Sequence, residues 1–81
     1  MITSGQIKAA RALVDWTARD LAAKAEIGFS TLIRLESSSG VPAGNIKTID
    51  AVKKALEAAG VEFIGTPDDR PGVRLNLSNK P

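Results

Sequence analysis

Eighty-one residues set the scale of one small domain, which buries only about 60% of the surface that its unfolded chain exposes. The lack of cysteine and histidine excludes disulfide staples, the usual zinc ligand sets and every Ser-His or Cys-His nucleophile arrangement. Eleven Lys and Arg against nine Asp and Glu allow a nucleic-acid partner if the cations cluster, and no run of eighteen apolar residues offers a membrane span.

The start of the chain, MITSGQIKAARALVDW, is polar-interrupted and helix-like, unlike a signal peptide, so a cytoplasmic protein is expected. Thr3 and Gln6 have capping-box spacing, and Ile2 and Ile7 hold the flanking hydrophobic-staple positions. The first helix is therefore expected from Thr3, with Ile7, Ala10, Leu13 and Val14 on its buried face and Asp15-Trp16 at its end. The second helix opens in the same way. Thr17 and Asp20 form a Ser/Thr-x-x-acid cap, Trp16 and Leu21 sit at the staple positions, and Leu21, Ala22 and Ala25 make a narrow apolar face. This helix spans Ala18 to Ala25.

Glu26-Ile27-Gly28 breaks the pattern, with Gly28 as N-cap of a third helix from Phe29 to Glu36. Leu32 and Leu35 face inward; Phe29, Ser30, Ile33 and Arg34 face outward. Two short helices separated by so few residues have the sequence shape of a helix-turn-helix, in which the second helix is held out for the DNA major groove. SSSGVPAG, residues 37–44, reads as a surface loop. In the fourth helix, capped by Asn45, one stripe holds Ile46, Ile49, Val52, Leu56 and Ala59. Gly60 is placed as the C′ residue, and Val61 to touch Leu56 as in a Schellman ending. Val61 to Ile64 and Val73 to Leu77 then alternate like strands around the turn-rich GTPDDRPG, so a β-hairpin with a long loop is expected. A lone hairpin is marginal in water and must pack on the helices or on a partner. The expected organisation is a helical domain over 1–60, a hairpin extension over 61–77 and a flexible tail over 78–81.

The order of short helices, with Leu21-Ala22, an apolar Ile27, Ser30-Thr31 and Leu35-Glu36 in TARDLAAKAEIGFSTLIRLE, resembles the phage-repressor-like (Xre and Cro type) helix-turn-helix regulators. The resemblance spans residues 3 to 59. It implies a mainly α fold, a lambda-repressor-like bundle of four short helices, here with a C-terminal β-hairpin. It implies no cofactor and no metal, and a homodimer that binds double-stranded DNA at a pseudo-palindromic operator. Phe29, Ser30 and Arg34 match the positions that face base edges. Arg34 suits guanine, Ser30 a base or a phosphate, and Phe29 a thymine methyl. Thr17, Ala18, Arg19, Thr31, Asn45 and Lys47 match positions near the phosphate backbone. Arg11 and Glu36 match positions that commonly pair the first and third helices. The hairpin resembles dimerisation extensions, which implies an interface role for Phe63, Ile64, Val73, Leu75 and Leu77.

Two residues depart from the family pattern. Glu26 stands where members often have Gly, which demands a left-handed turn from a residue with a side chain. Phe29 replaces a polar reader. Both favour the alternative, a helix-turn-helix that binds protein, as an antitoxin or antiactivator does. An enzyme is not expected. Gly44-Asn45-Ile46-Lys47-Thr48 lacks the strand and the Gly-Lys adjacency of a phosphate loop, and turn chemistry accounts for Asp68-Asp69.

Overall fold

Four helices and a C-terminal antiparallel hairpin follow one another in the computed structural model, which describes residues 2–38, 40–42 and 44–76. They are α1 (Ser4–Val14), α2 (Ala18–Ala25), α3 (Phe29–Ser37), α4 (Ile46–Ala58), β1 (Val61–Thr66) and β2 (Asp69–Leu75), a mostly helical set. Among the described residues no helix is long and apolar enough to cross a membrane.

Both capping boxes form. The Gln6 N–H donates to Thr3 Oγ1 at 3.0 Å while the Thr3 N–H donates to Gln6 Oε1 at 2.8 Å. Thr17 and Asp20 exchange the same two bonds at 2.9 and 3.0 Å. Each box satisfies two amides that a first helical turn leaves without partners. At their other ends, α1 and α2 both stop on an acidic residue in the left-handed region, Asp15 at φ 60° and Glu26 at φ 58°. This geometry costs a residue with a Cβ about 1–2 kcal/mol. It lets the Trp16 N–H reach back to the Arg11 carbonyl, and the Ile27 N–H to the Ala22 carbonyl, each at 3.0 Å, closing Schellman-type endings. The break at Glu26-Ile27-Gly28 is thus a strained but hydrogen-bonded corner.

The core gathers Ile2, Ile7 and Ala10 with Leu21, Ala22 and Ala25 of α2, Leu32 and Leu35 of α3, Ile49, Val52 and Leu56 of α4, and Val61. Three expected members lie outside it, of which Ala59, the C-cap of α4, is half-buried and the other two are exposed. Leu13 is 40% exposed because the α1 stripe centres on Ile7, Ala10 and Val14, and Leu13 sits about a quarter-turn from that centre. Ile46 is 77% exposed for the same reason. It is the first residue of α4 and lies about a quarter-turn off the Ile49–Val52–Leu56 line. α3 continues one residue past Glu36 to Ser37, whose hydroxyl donates to the Ile33 carbonyl at 2.7 Å.

The hairpin is tighter than the turn-rich GTPDDRPG predicts. Most of that segment pairs as strand, and only Pro67 and Asp68 separate the bonded pair Thr66 and Asp69. A register shift between Ile64 and Thr66 accommodates this, at Gly65 with φ 76°. A Cβ at Gly65 would overlap the Arg70 carbonyl, so the bulge requires glycine. At the root, the Gly60 N–H donates to the Glu57 carbonyl at 3.0 Å, one of the two Schellman bonds, and the Asn76 N–H donates to the Gly60 carbonyl at 2.8 Å. The hairpin lies against α1, where the buried Gln6 side chain donates to the Ile64 carbonyl at 3.2 Å and the Gly72 carbonyl at 2.8 Å. Phe63, Val73 and Leu75 pack on the helical core. Leu77 and the tail 78–81 lie outside the described residues, as do Ser39 and Ala43 of the expected loop.

Candidate nucleic-acid interface

The site is built from the inside of α3 outward. Leu32 and Leu35 anchor the inner face, and Glu36, only 7% exposed, ties it to α1. Arg11 grips that carboxylate with both arms of its fork, Nε to Oε2 at 2.7 Å and Nη2 to Oε1 at 2.9 Å. Its remaining arm donates to the Trp16 carbonyl at 3.1 Å, which ties in the corner before α2. A bidentate pair of this kind fixes orientation as well as adding energy. The Ser4 hydroxyl donates to the Leu35 carbonyl and clamps α3 from the start of α1.

The outer face carries Phe29, Ser30, Ile33 and Arg34, all exposed. At 3.6 residues per turn these side chains fan over an arc of about 140°, Phe29 and Ile33 on one flank, Ser30 and Arg34 on the other. Among the described residues Arg34 has no carboxylate within ion-pair distance. Arg19 sits in the first turn of α2 with its guanidinium 4.2 Å from the centre of the Phe29 ring. Arg19 thus links the first turn of α2 to the first residue of α3. The sequence reading had it near phosphate and missed this contact; its signal is an Arg just inside one helix and an aromatic at the first position of the next.

The other expected contact residues divide by how free they are. Thr17 is occupied, since its hydroxyl and amide both serve the capping box. The Thr17 amide that donates to it, and after that the Thr17 hydroxyl beside it, hold the Asp20 carboxyl below its ordinary 3.8. Ala18 is half-buried beside Thr17, and Thr31 is half-buried on α3. Asn45 caps α4, accepting the Lys47 N–H at 2.8 Å, while the Lys47 side chain is exposed and has no ion-pair partner among the described residues.

Charge pairing separates the molecule into two parts. Lys53 pairs with Glu57, Lys54 with Asp50, Arg70 with Asp69 and Arg74 with Glu62. All four belong to the body of α4 or to the hairpin. The described cations without a carboxylate partner are Lys8, Arg19, Lys24, Arg34 and Lys47. Three of them, Arg19, Arg34 and Lys47, stand on α2, on α3 and at the start of α4. Lys24 instead lies over Trp16, 5.6 Å from the ring centre, and Lys8 lines a shallow concavity with Arg11, Asp15 and Thr17. Glu26 is the exposed negative charge at the corner itself. On the hairpin, Ile64 is the exposed apolar residue at 39%, whereas Phe63, Val73 and Leu75 are partly buried inside the chain. Glu62 is held below its ordinary 4.5, chiefly by the Asn76 side chain and then by Arg74.

Among the described residues no group of three or more carboxylates is placed to hold a metal ion. No protein-family model matches this chain, and no curated protein matches it significantly.

Proposed function

We propose that the chain is a sequence-specific DNA-binding transcriptional regulator of the lambda-repressor-like helix-turn-helix type, with α2 and α3 as the motif and α3 as the recognition helix. One observation carries this reading. Arg34 stands exposed beside Ser30, with no carboxylate partner among the described residues, on a helix whose opposite face is locked into the core. A guanidinium with its donors free can bond guanine O6 and N7 together in the major groove. The Ala18 and Arg19 amides, in the first turn of α2, have no intrahelical partners and form the positive end of the helix dipole, which suits a phosphate. Lys47 supplies a second backbone contact, and contacts of this kind set register without reading sequence.

A homodimer belongs to the proposal. Among the described residues the sheet has two strands, and Ile64 extends its apolar surface outward. Open strand edges invite pairing with a second chain. The packing of Phe63, Val73 and Leu75 within the protomer narrows the interface to Ile64 and the strand edges. A two-fold arrangement sets two α3 helices about 34 Å apart and selects a pseudo-palindrome.

Footprinting on the DNA upstream of the chain's own reading frame, repeated over a salt series, tests both parts. The expected result is two protected half-sites about ten base pairs apart, lost steeply as salt rises. Lys47→Ala should weaken binding to every duplex and flatten the salt slope by about one. A single protected half-site removes the dimer. No protection, with no salt-sensitive binding, removes the DNA reading in favour of a protein-binding module such as an antitoxin or antiactivator, which the exposed Phe29 and Glu26 favour.

A further inference from the structure

We infer that the outer face of α3 selects the 5-methyl groups of pyrimidines through Phe29 and Ile33, beside the base-edge contact of Arg34. The inference rests on the DNA reading and names the base feature that this face takes. Phe29 is 37% exposed and Ile33 40%, although both stand on a helix whose Leu32 and Leu35 are fully packed. Their exposure is therefore a property of an ordered surface. Four residues apart, they lie about 40° from each other around the helix and about 6 Å apart along it.

The Arg19 guanidinium, from the first turn of α2, covers part of the Phe29 ring at 4.2 Å from its centre. A ring fixed in this way loses little freedom on binding. Neither Phe29 nor Ile33 can donate or accept a hydrogen bond, so the polar edges of bases give them nothing to pair with. The one apolar feature of a base pair in the major groove is the methyl at pyrimidine C5, carried by thymine. Charge selects the same occupant over an apolar protein surface. Arg19, stacked on the Phe29 ring, and Arg34, on the same outer face of the motif, have no carboxylate partner among the described residues, which suits a polyanion. A 6 Å spacing against a base step of 3.4 Å places the two methyls about two base pairs apart.

The test uses the full chain. Duplexes are enriched from a random library, and each thymine of the enriched sequence is replaced in turn by deoxyuridine, which deletes only the methyl. Affinity is read by fluorescence anisotropy. One or two thymines per half-site, about two base pairs apart, should each weaken binding about three- to fivefold on replacement, the worth of one buried methyl. Phe29→Ala should abolish the penalty at one of these positions and Ile33→Ala at the other, while Lys47→Ala keeps both. A flat deoxyuridine scan on the unmodified chain overturns the inference and leaves the DNA reading standing, as does a penalty undiminished in both variants. Failure to enrich any duplex overturns the DNA reading and the inference with it.

Discussion

The two faces of α3 use the same residue types to opposite ends. Inside, Leu32 and Leu35 are buried and Glu36 holds Arg11, a guanidinium with every arm engaged within the chain. Outside, Phe29 and Ile33 stay exposed, and Arg34 has no carboxylate partner among the described residues. One arginine is structural because its partners are supplied by the fold. The other is available because they are not. The lesson is that residue type does not separate scaffold from site in so small a domain; saturation of polar groups does.

Breaking the inner face should have the largest effect. Glu36→Ala leaves the partly buried Arg11 fork without its carboxylate, and a loss of about 2–3 kcal/mol is expected in urea unfolding. That is a large share of the stability of a domain this size. Arg34→Ala in the same assay should move stability by less than about 0.5 kcal/mol. Equal losses at the two sites would erase the distinction between the faces.

A smaller effect, of opposite sign, is expected at the corner that sets α3 against α2. Glu26→Gly keeps φ near 58° without the penalty of a side chain and removes a negative charge beside the outer face. Stability should rise by about 0.5–1 kcal/mol, and binding to all duplexes should tighten together. Destabilisation by this change would show that the Glu26 side chain supports the corner.

The smallest effect is a pH dependence at the start of α2. The Asp20 carboxyl is held below 3.8 in the fold. Its contribution is therefore fully present above the unfolded value and is lost as pH falls through the lower folded one. Asp20→Asn should flatten this part of the acid limb in thermal melts below about pH 4, because Asn can still accept the capping bond but does not titrate. An unchanged acid limb would mean that other carboxylates, Glu62 among them, govern acid unfolding.

How much of this was legible in the sequence follows the range of the interactions. The capping boxes at Thr3 and Thr17 span three residues each, so spacing alone revealed them. The inward positions Leu32 and Leu35, and the left-handed demand at Glu26, are equally local. Asp15 makes the same left-handed ending, which Asp adopts more readily than most residues, yet the same type is as common at helix N-caps and turns and so does not single it out. Leu13 and Ile46 were misjudged because periodicity gives the stripe but not which flank its neighbours cover. The hairpin turn was drawn too long because Gly and Pro in GTPDDRPG read as loop, while edge strands tolerate them where a bulge or an outward amide allows. Gln6 reaches carbonyls 58 and 66 residues away, and no local pattern reports a contact of that range. The Arg19–Phe29 contact lies between these cases, close in sequence but visible only once the corner angle is fixed.

The proposed role of the outer face of α3 is to read base edges. It is tested most directly by the affinity of Arg34→Ala for an enriched duplex and for a scrambled one, measured side by side at one salt concentration. Loss of one bidentate base contact costs about 1–3 kcal/mol. The ratio of the two affinities should therefore collapse about 5- to 150-fold, with the scrambled affinity falling far less. A preserved ratio, with both affinities lowered equally, would make Arg34 a phosphate contact and contradict the account.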